Sequence, residues 1–331
     1  MTTLLNAPVP LVSVIVVAYN AREVLHACLT RVREEARDTP LELIVVDNAS
    51  RDGAADMVAR DFPDARLVRS PVNLGFAAGN NVGFKMARGD YVLLLNPDAL
   101  PEPGAIAQSL ARMAAQPRAG LGGGRLLDSD GRLQPSARRF PSLLNEFLAL
   151  SGLAARYPKS RLFGRFDRTW ADPERAAPVD WVPGAFTLIR RAVLEEVGMF
   201  DERFFLYYEE VDLCRRARDA GWQVWYWPDI VVDHIGGVSS RSVDSLEMSA
   251  SGAQLVLWRM RSALLYYRKH HGRLMAWLVA RQELLWHSVR ARRAELRANL
   301  AKRDHSRSVM DLMRRAWDDT RGGRLSPERP W

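Results

Sequence analysis

The stretch LVSVIVVAY at residues 11–19 constrains this chain more than any other. An almost unbroken β-branched run of this length reads as a strand buried on both faces, which is the habit of parallel sheets. Three further strands follow, LELIVV at 41–46, the short segment 66–69, and YVLLL at 91–95. Helical patterns separate them. Residues 21–36 put Val24, Leu25, Cys28, Leu29 and Val32 on one side. Ser50 is expected to cap a second helix that runs through Arg60. A third spans 77–88 with Gly89 ending it, and a fourth spans 103–115. This β-α-β-α-β order predicts an α/β fold with a mostly parallel sheet flanked by helices and joined by right-handed crossovers. Such sheets bind ligands beyond the carboxyl ends of their strands. The informative polar residues are therefore Tyr19-Asn20, Asp47-Asn48 and Asn96-Pro97-Asp98.

Beyond residue 115 the pattern loosens. Residues 120–132 predict a strand entering a DSDG turn. Residues 138–178 are rich in Arg, Pro and aromatics and predict a long loop region. A strand is expected at 180–190, helices at 191–197 and 209–220, and a strand at 222–227. The tail differs, because 255–302 is helical in composition and mixes Leu, Trp, Tyr and Met with many Arg. We expect one domain over 1–250, with halves at about 11–120 and about 121–250. Residues 251–331 form a basic helical C-terminal region.

The net charge of +8 resides in that tail. Residues 251–331 hold 18 Lys and Arg against 7 Asp and Glu, whereas the first 250 hold 29 against 32. A basic tail implies an anionic partner. No nucleic-acid module is recognisable, so nucleic acid is not expected. Trp258, Trp277 and Trp286, with Tyr266 and Tyr267, interleave with Arg over 255–293. That mixture suggests an interfacial helix or hairpin on an anionic membrane surface, or a helical pair packing on the catalytic domain or on a second copy as a homo-oligomer. The apolar stretch Leu274 to Ala280 is too short to span a bilayer. Met1 to Pro10 lacks the charge and apolar run of a secretory signal. Two cysteines, Cys28 and Cys214, give no disulfide framework and suit a reducing compartment. The expected location is cytoplasmic, peripheral on the inner face of the plasma membrane.

The strand ends carry the chemistry. A dinucleotide site would need G-x-G-x-x-G after the first strand, where this chain has AYNAREVL. Gly122-Gly123-Gly124 follows no suitable strand-to-helix junction. Asp98, just past a buried strand, could help hold a hard cation on a diphosphate, or could cap the following turn. Asp47 could accept from a base or ribose, or form an Asx turn. In FFLYYEEVDLCRR at 204–216, acids enter a helix N-terminus, as capping also favours. One of them could serve as a general base.

The order and spacing of these segments are more specific than any one of them. VSVIVVAYN at 12–20, LIVVDNASRDG at 43–53 and NLGFAAGNNVGFKMARGDYVLLLNPDA at 73–99 come first. WVPGAFTLIRRAVLEEVGMFDERFFLYYEEVDLCRRARDAGW at 181–222 and DHIGG at 233–237 complete the series. Over about residues 11–240 the chain resembles the family 2 glycosyltransferases of GT-A fold, and more closely their bacterial rhamnosyltransferase-like branch. The resemblance implies an inverting, metal-dependent transfer of a sugar, L-rhamnose from dTDP-rhamnose foremost, to a hydroxyl of a cell-surface polysaccharide or lipid-linked glycan precursor. UDP-galactofuranose, UDP-hexose or GDP-mannose are alternative donors, and an inactive nucleotide-binding scaffold is the alternative outside catalysis.

The resemblance also implies roles. Tyr19, Asn20 and Asp47 contact the nucleotide, and Asn73, Gly75, Phe76 and Asn80 line the donor site. Asn96-Pro97-Asp98 stands at the metal-binding motif, with Asp98 and His234 as ligands of Mg²⁺ or Mn²⁺. Glu210 stands at the catalytic base, with Glu209 and Asp212 as alternatives, and Trp181 and Gly184 border the acceptor pocket. Two departures are visible. Asn96 replaces the first carboxylate of the metal motif, and the acidic pair is Glu209-Glu210, whose second member is one methylene longer than the family's Asp.

Overall fold

A computed structural model describes residues 12–37, 39–235 and 250–327. The N-terminal segment read above as lacking a leader, and Gly236 and Gly237 of DHIGG, lie outside the described residues. The chain forms two units. The first takes the residues up to Arg138, Asp172–Phe200 and the stretch from Leu213 through the last strand. The second takes Arg139–Ala171, Asp201–Asp212 and the described residues from 250 onward.

The first unit is a sheet with helices around it. Strands β1 (Val12–Ala18), β2 (Leu41–Asp47), β3 (Arg66–Arg69) and β4 (Tyr91–Leu95) alternate with helices α1 (Arg22–Glu35), α2 (Ala54–Asp61) and α3 (Gly75–Met86). These strands run parallel in the order β3-β2-β1-β4. Every residue of β1 is buried, which explains its continuous apolar character. Its one polar member is fully satisfied. Ser13 Oγ donates to Glu42 Oε1 at 2.6 Å and accepts from the Gly89 amide at 2.8 Å.

After β4 come β5 (Ala99–Pro101), α4 (Ala105–Ala115), β6 (Ala119–Leu127), β7 (Leu133–Gln134), β8 (Ala177–Val179), β9 (Phe186–Arg190), α7 (Arg191–Val197) and β10 (Gln223–His234). Strand β9 inserts antiparallel between β4 and β6, and β6 pairs parallel with β10. The short β5 pairs antiparallel with the end of β10, with Ala99 opposite His234. That pairing folds the segment after β4 back beside the last strand. Val14, Val16, Leu43, Val45, Leu93, Leu95, Phe186 and Trp227 contribute to the core around the sheet.

The second unit contains α5 (Leu143–Leu150), α6 (Leu153–Arg156), the first turn of α8 (Glu209–Asp219), α9 (Ala250–Leu296) and α10 (Leu300–Asp319). Gly272 breaks α9 with φ 81° and ψ 176°, an extended left-handed conformation that favours glycine. Leu257, Met260, Leu264 and Ala280 pack with Val309, Met313 and Ala316 of α10. Among the described residues no helix is long and apolar enough to cross a membrane.

Several local expectations are corrected. Ser50 does not cap α2, which begins after Gly53, and its Oγ instead accepts from the Asn20 amide at 3.0 Å. Gly89 does not end α3, since Ala87 already turns the chain extended. Gly89 is needed because a Cβ there would stand 2.7 Å from the Ser13 nitrogen. The expected loop at 138–178 contains α5, whose Ser142 Oγ accepts from the Asn145 amide at 3.2 Å. The strand expected from 180 begins at Phe186. Of the two expectations for Trp258, Tyr266 and Tyr267, a membrane interface or packing against protein, their burial in the second unit favours packing.

Candidate active site

In the first unit the carboxyl ends of β1, β2 and β4 lie side by side. Asn20, just past β1, sits at φ 47°, a conformation Asn tolerates better than most residues. Its Oδ1 accepts from the Arg51 amide at 2.8 Å, tying the first loop to the second. Tyr19 beside it is partly exposed. Asp47 ends β2 and is buried. One carboxylate oxygen, Oδ2, accepts from the Ser50 amide at 3.3 Å, whereas Oδ1 has no hydrogen-bond partner. A buried carboxylate oxygen left so is costly unless a ligand donates to it.

Asn73, Gly75, Phe76 and Asn80 form the start of α3. Asn73 Oδ1 accepts from the Gly75 amide at 3.0 Å, and Gly75 takes φ 82°. Phe76 stands against Gly184, where an added Cβ would lie 3.3 Å from its ring. This brings Gly184, expected to border the acceptor, next to a residue expected at the donor. Asn80 is buried, and its Nδ2 donates to the Phe76 carbonyl at 2.9 Å. Trp181 is also buried, with the Arg138 guanidinium 4.6 Å from its ring centroid.

Asp98 meets His234 through the β5–β10 pairing. Asp98 Oδ1 is 3.5 Å from His234 Nε2, and Asn96 Nδ2 is 3.4 Å from the same nitrogen. The tautomer follows from Gln134. Its Nε2 donates to the His234 carbonyl at 2.7 Å, which turns Oε1 toward His234 Nδ1 at 2.8 Å. Nδ1 therefore carries a hydrogen, and Nε2, which offers a lone pair in the neutral ring, faces Asp98. A carboxylate oxygen and an imidazole lone pair turned toward each other suit a hard divalent cation between them. Among the described residues no three His, Cys, Asp or Glu converge as a metal cluster. A site of two such ligands leaves room for diphosphate oxygens. Cys28 lies behind, its Sγ donating to the Asn96 carbonyl at 3.6 Å. Burial, and then Asp98, push its thiol well above the ordinary value, so it is unreactive.

The sequence profile of Glycosyl transferase family 2 matches residues 13–198. The chain belongs to this family. Among curated relatives, the N-acetylglucosaminyl-diphospho-decaprenol L-rhamnosyltransferase of Mycobacterium tuberculosis is 33% identical over 210 residues, 60% of this chain and 68% of that one. A rhamnosyltransferase of Escherichia coli is 26% identical over 203 residues, 58% of this chain and 69% of that one. Among solved structures, the mannosyltransferase of Pyrobaculum calidifontis in complex with GDP-Man and Mn²⁺ superposes with a TM-score of 0.52 at 17% identity. That superposition covers 95% of this chain and 88% of the other, and supports the GT-A fold.

The remaining candidates of this glycosyltransferase, Glu209, Glu210 and Asp212, belong to the second unit, in the first turn of α8. They differ sharply in surroundings. Asp212 is fully buried, and its Oδ1 meets Lys269 Nζ and His270 Nε2 of α9, each at 2.7 Å. Glu209 is buried too, and its carboxyl accepts from its own amide and that of Tyr207. The two residues before it, Tyr207 and Tyr208, adopt φ 69° and 70°, rare for aromatics. Such strain persists only where the surroundings enforce it. Here Ser262 Oγ of α9 donates to the Leu206 carbonyl at 2.8 Å, and the Tyr208 hydroxyl donates to Glu146 at 3.3 Å. Glu210 is the partly exposed member of the three.

Burial, reinforced by Glu210, pushes Glu209 well above the ordinary value of 4.5. The stability linked to a raised carboxyl is fully present below 4.5 and is lost as pH rises through the folded-state value. Glu209→Gln is therefore expected to melt above wild type at neutral pH, the gap closing below pH 4.5. Thermal unfolding of both proteins across that range checks it, and parallel curves would contradict a raised Glu209 carboxyl.

Two residues were missed by reading the sequence. Gln134 comes from the two-residue strand β7, and nothing in its neighbourhood marks it. Asn48 was noticed only as a strand-end polar residue. Its Nδ2 donates to Asn73 Oδ1 at 2.8 Å, and its Oδ1 accepts from the Leu74 amide at 2.8 Å. It thereby sets the loop that enters α3.

Proposed function

We propose that this glycosyltransferase moves L-rhamnose from dTDP-β-L-rhamnose to a hydroxyl of a lipid-linked glycan precursor or cell-surface polysaccharide, with inversion at the anomeric carbon. The observation that carries the reading is Asp98 Oδ1 facing His234 Nε2 at 3.5 Å at the carboxyl edge of the sheet. The donor sugar rests on the rhamnosyltransferases among the relatives, and the lipid-linked acceptor on the decaprenol diphosphate in the mycobacterial name. Mg²⁺ or Mn²⁺ held by Asp98 and His234 would supply positive charge to the departing diphosphate. Asp47 accepts from the base, the remaining need of its Oδ1. Tyr19 and Asn20 flank the nucleotide, while Asn73, Gly75, Phe76 and Asn80 shape the donor pocket. Glu210, as a carboxylate, takes the proton of the acceptor hydroxyl as its oxygen attacks. The new bond forms on the face opposite the diphosphate, whose bond to the sugar breaks. Trp181 and Gly184 bound the acceptor side.

Calorimetric binding of dTDP, UDP and GDP, with Mn²⁺ or Mg²⁺ and then with chelator, tests this. Metal-dependent binding selective for dTDP is expected. Asp47→Asn should weaken it by about 10–100-fold, the range of one hydrogen bond to a charged group. Selectivity for UDP or GDP would keep the enzyme and change the sugar. Binding of none of them by folded protein would favour a scaffold.

A further inference from the structure

The half of α9 beyond Gly272 is apolar on two opposite faces. One carries Ala276, Ala280, Ala291 and Ala294, all buried. The other carries Leu274, Trp277, Leu285, Val289 and Leu296, which are between 41% and 88% exposed. At 3.6 residues per turn these five fall within an arc of about 120°. Phe147 of α5 is exposed beside this helix, with its ring 6.1 Å from that of Trp286. An aligned stripe of this kind marks an interaction site, unlike scattered surface leucines.

Arginines share the arc. Arg281 and Arg292 are exposed within it, and the Arg281 guanidinium lies 5.4 Å from the Trp277 ring centroid. Glu295, at its edge, is already paired with Arg307 at 3.7 Å. We propose that this face docks on an anionic membrane surface. A bilayer accepts both parts of the face. Leucine and tryptophan enter the headgroup boundary while the guanidinium groups reach lipid phosphates. A second copy of the chain fits worse. A two-fold contact through this face would gather the Arg281 and Arg292 side chains of both copies into one interface and remove like charges from water. The excess of 18 basic over 7 acidic residues in 251–331 favours the anionic surface again. The buried Trp258, Tyr266 and Tyr267 play no part, so the docking face begins at the break in α9.

Sedimentation of the full chain with vesicles of phosphatidylcholine, with and without phosphatidylglycerol, tests the proposal without nucleotide or sugar. Binding is expected only with phosphatidylglycerol and should weaken with salt. Leu274→Ser with Leu285→Ser should lower partitioning about tenfold or more, from the apolar area withdrawn. Arg281→Glu with Arg292→Glu should lower it by at least about twentyfold, near fivefold per arginine lost. Both pairs are on the surface, so circular dichroism and nucleoside diphosphate binding should stay unchanged. Wild type that ignores phosphatidylglycerol, or variants that sediment like wild type, would overturn the proposal. So would a dimer in light scattering that the serine pair dissociates, since the face would then be an interface between copies.

Discussion

Glu210→Gln should reduce sugar transfer by about 10²–10⁴-fold in kcat while nucleotide binding stays within experimental error, because a positioned base typically contributes that much. The amide keeps the size of the side chain and cannot take a proton. The neighbouring acids are poor substitutes for physical reasons. Asp212 is fully buried and engaged by Lys269 and His270 at 2.7 Å, so its charge is already spent within the second unit. Glu209 is buried and desolvation raises its carboxyl, which disfavours the charged form that a base needs. Steady-state transfer with dTDP-rhamnose, paired with calorimetry of dTDP, measures both arms. Asp212→Asn should instead lower the melting temperature, since it takes the carboxylate from His270 and one of two carboxylates from Lys269, which keeps Asp201 at 2.8 Å. Loss of turnover in Asp212→Asn with full stability, and normal turnover in Glu210→Gln, would move the base to Asp212.

Where each residue stood in the sheet decided how much of this was readable beforehand. Strands β3, β4 and helix α7 fall at the residues expected, and β1 and β2 within one, because buried parallel strands show as apolar runs with polar ends. The strand-end residues Asn20, Asp47, Asn96 and Asp98 were legible for the same reason, since the fold class says where to look. Strand β10 was cut short at Trp227 in the reading, because Pro228 follows and breaks the pattern. In the structure β10 absorbs the proline at an irregularity between Trp227 and Val231 and continues to His234. Strand β5, three residues long, has no periodicity to detect, yet it is what delivers Asp98 to that histidine. Helix α5 hides among arginines and prolines, and its eight residues are too few for a helical period to stand out. Gln134 and Lys269 act across 100 and 57 residues of chain on His234 and Asp212, and no local pattern encodes such distances.

Gly122→Ala should cost about 3 kcal/mol or more and lower the melting temperature by roughly 6–12 °C. Gly122-Gly123-Gly124 invited comparison with a phosphate-binding loop, but these residues lie inside β6 and are buried. A Cβ on Gly122 would overlap the Trp227 ring at Cζ3 and Cη2 and stand 2.8 Å from Cε3. Trp227 is fully buried and its Nε1 donates to Gln116 at 3.4 Å, so the ring has little freedom to retreat. On Gly123 a Cβ would stand 2.8 Å from Val182 Cβ, so the neighbouring position excludes a side chain as well. Gly122 is thus the complement of a large aromatic across the parallel β6–β10 pair. A double-mutant cycle makes the point testable. Trp227→Leu alone opens a cavity and destabilises, whereas Trp227→Leu with Gly122→Ala should cost clearly less than the two single changes added together. Additive losses in thermal or denaturant unfolding, or a neutral Gly122→Ala, would show that the glycine run has another purpose.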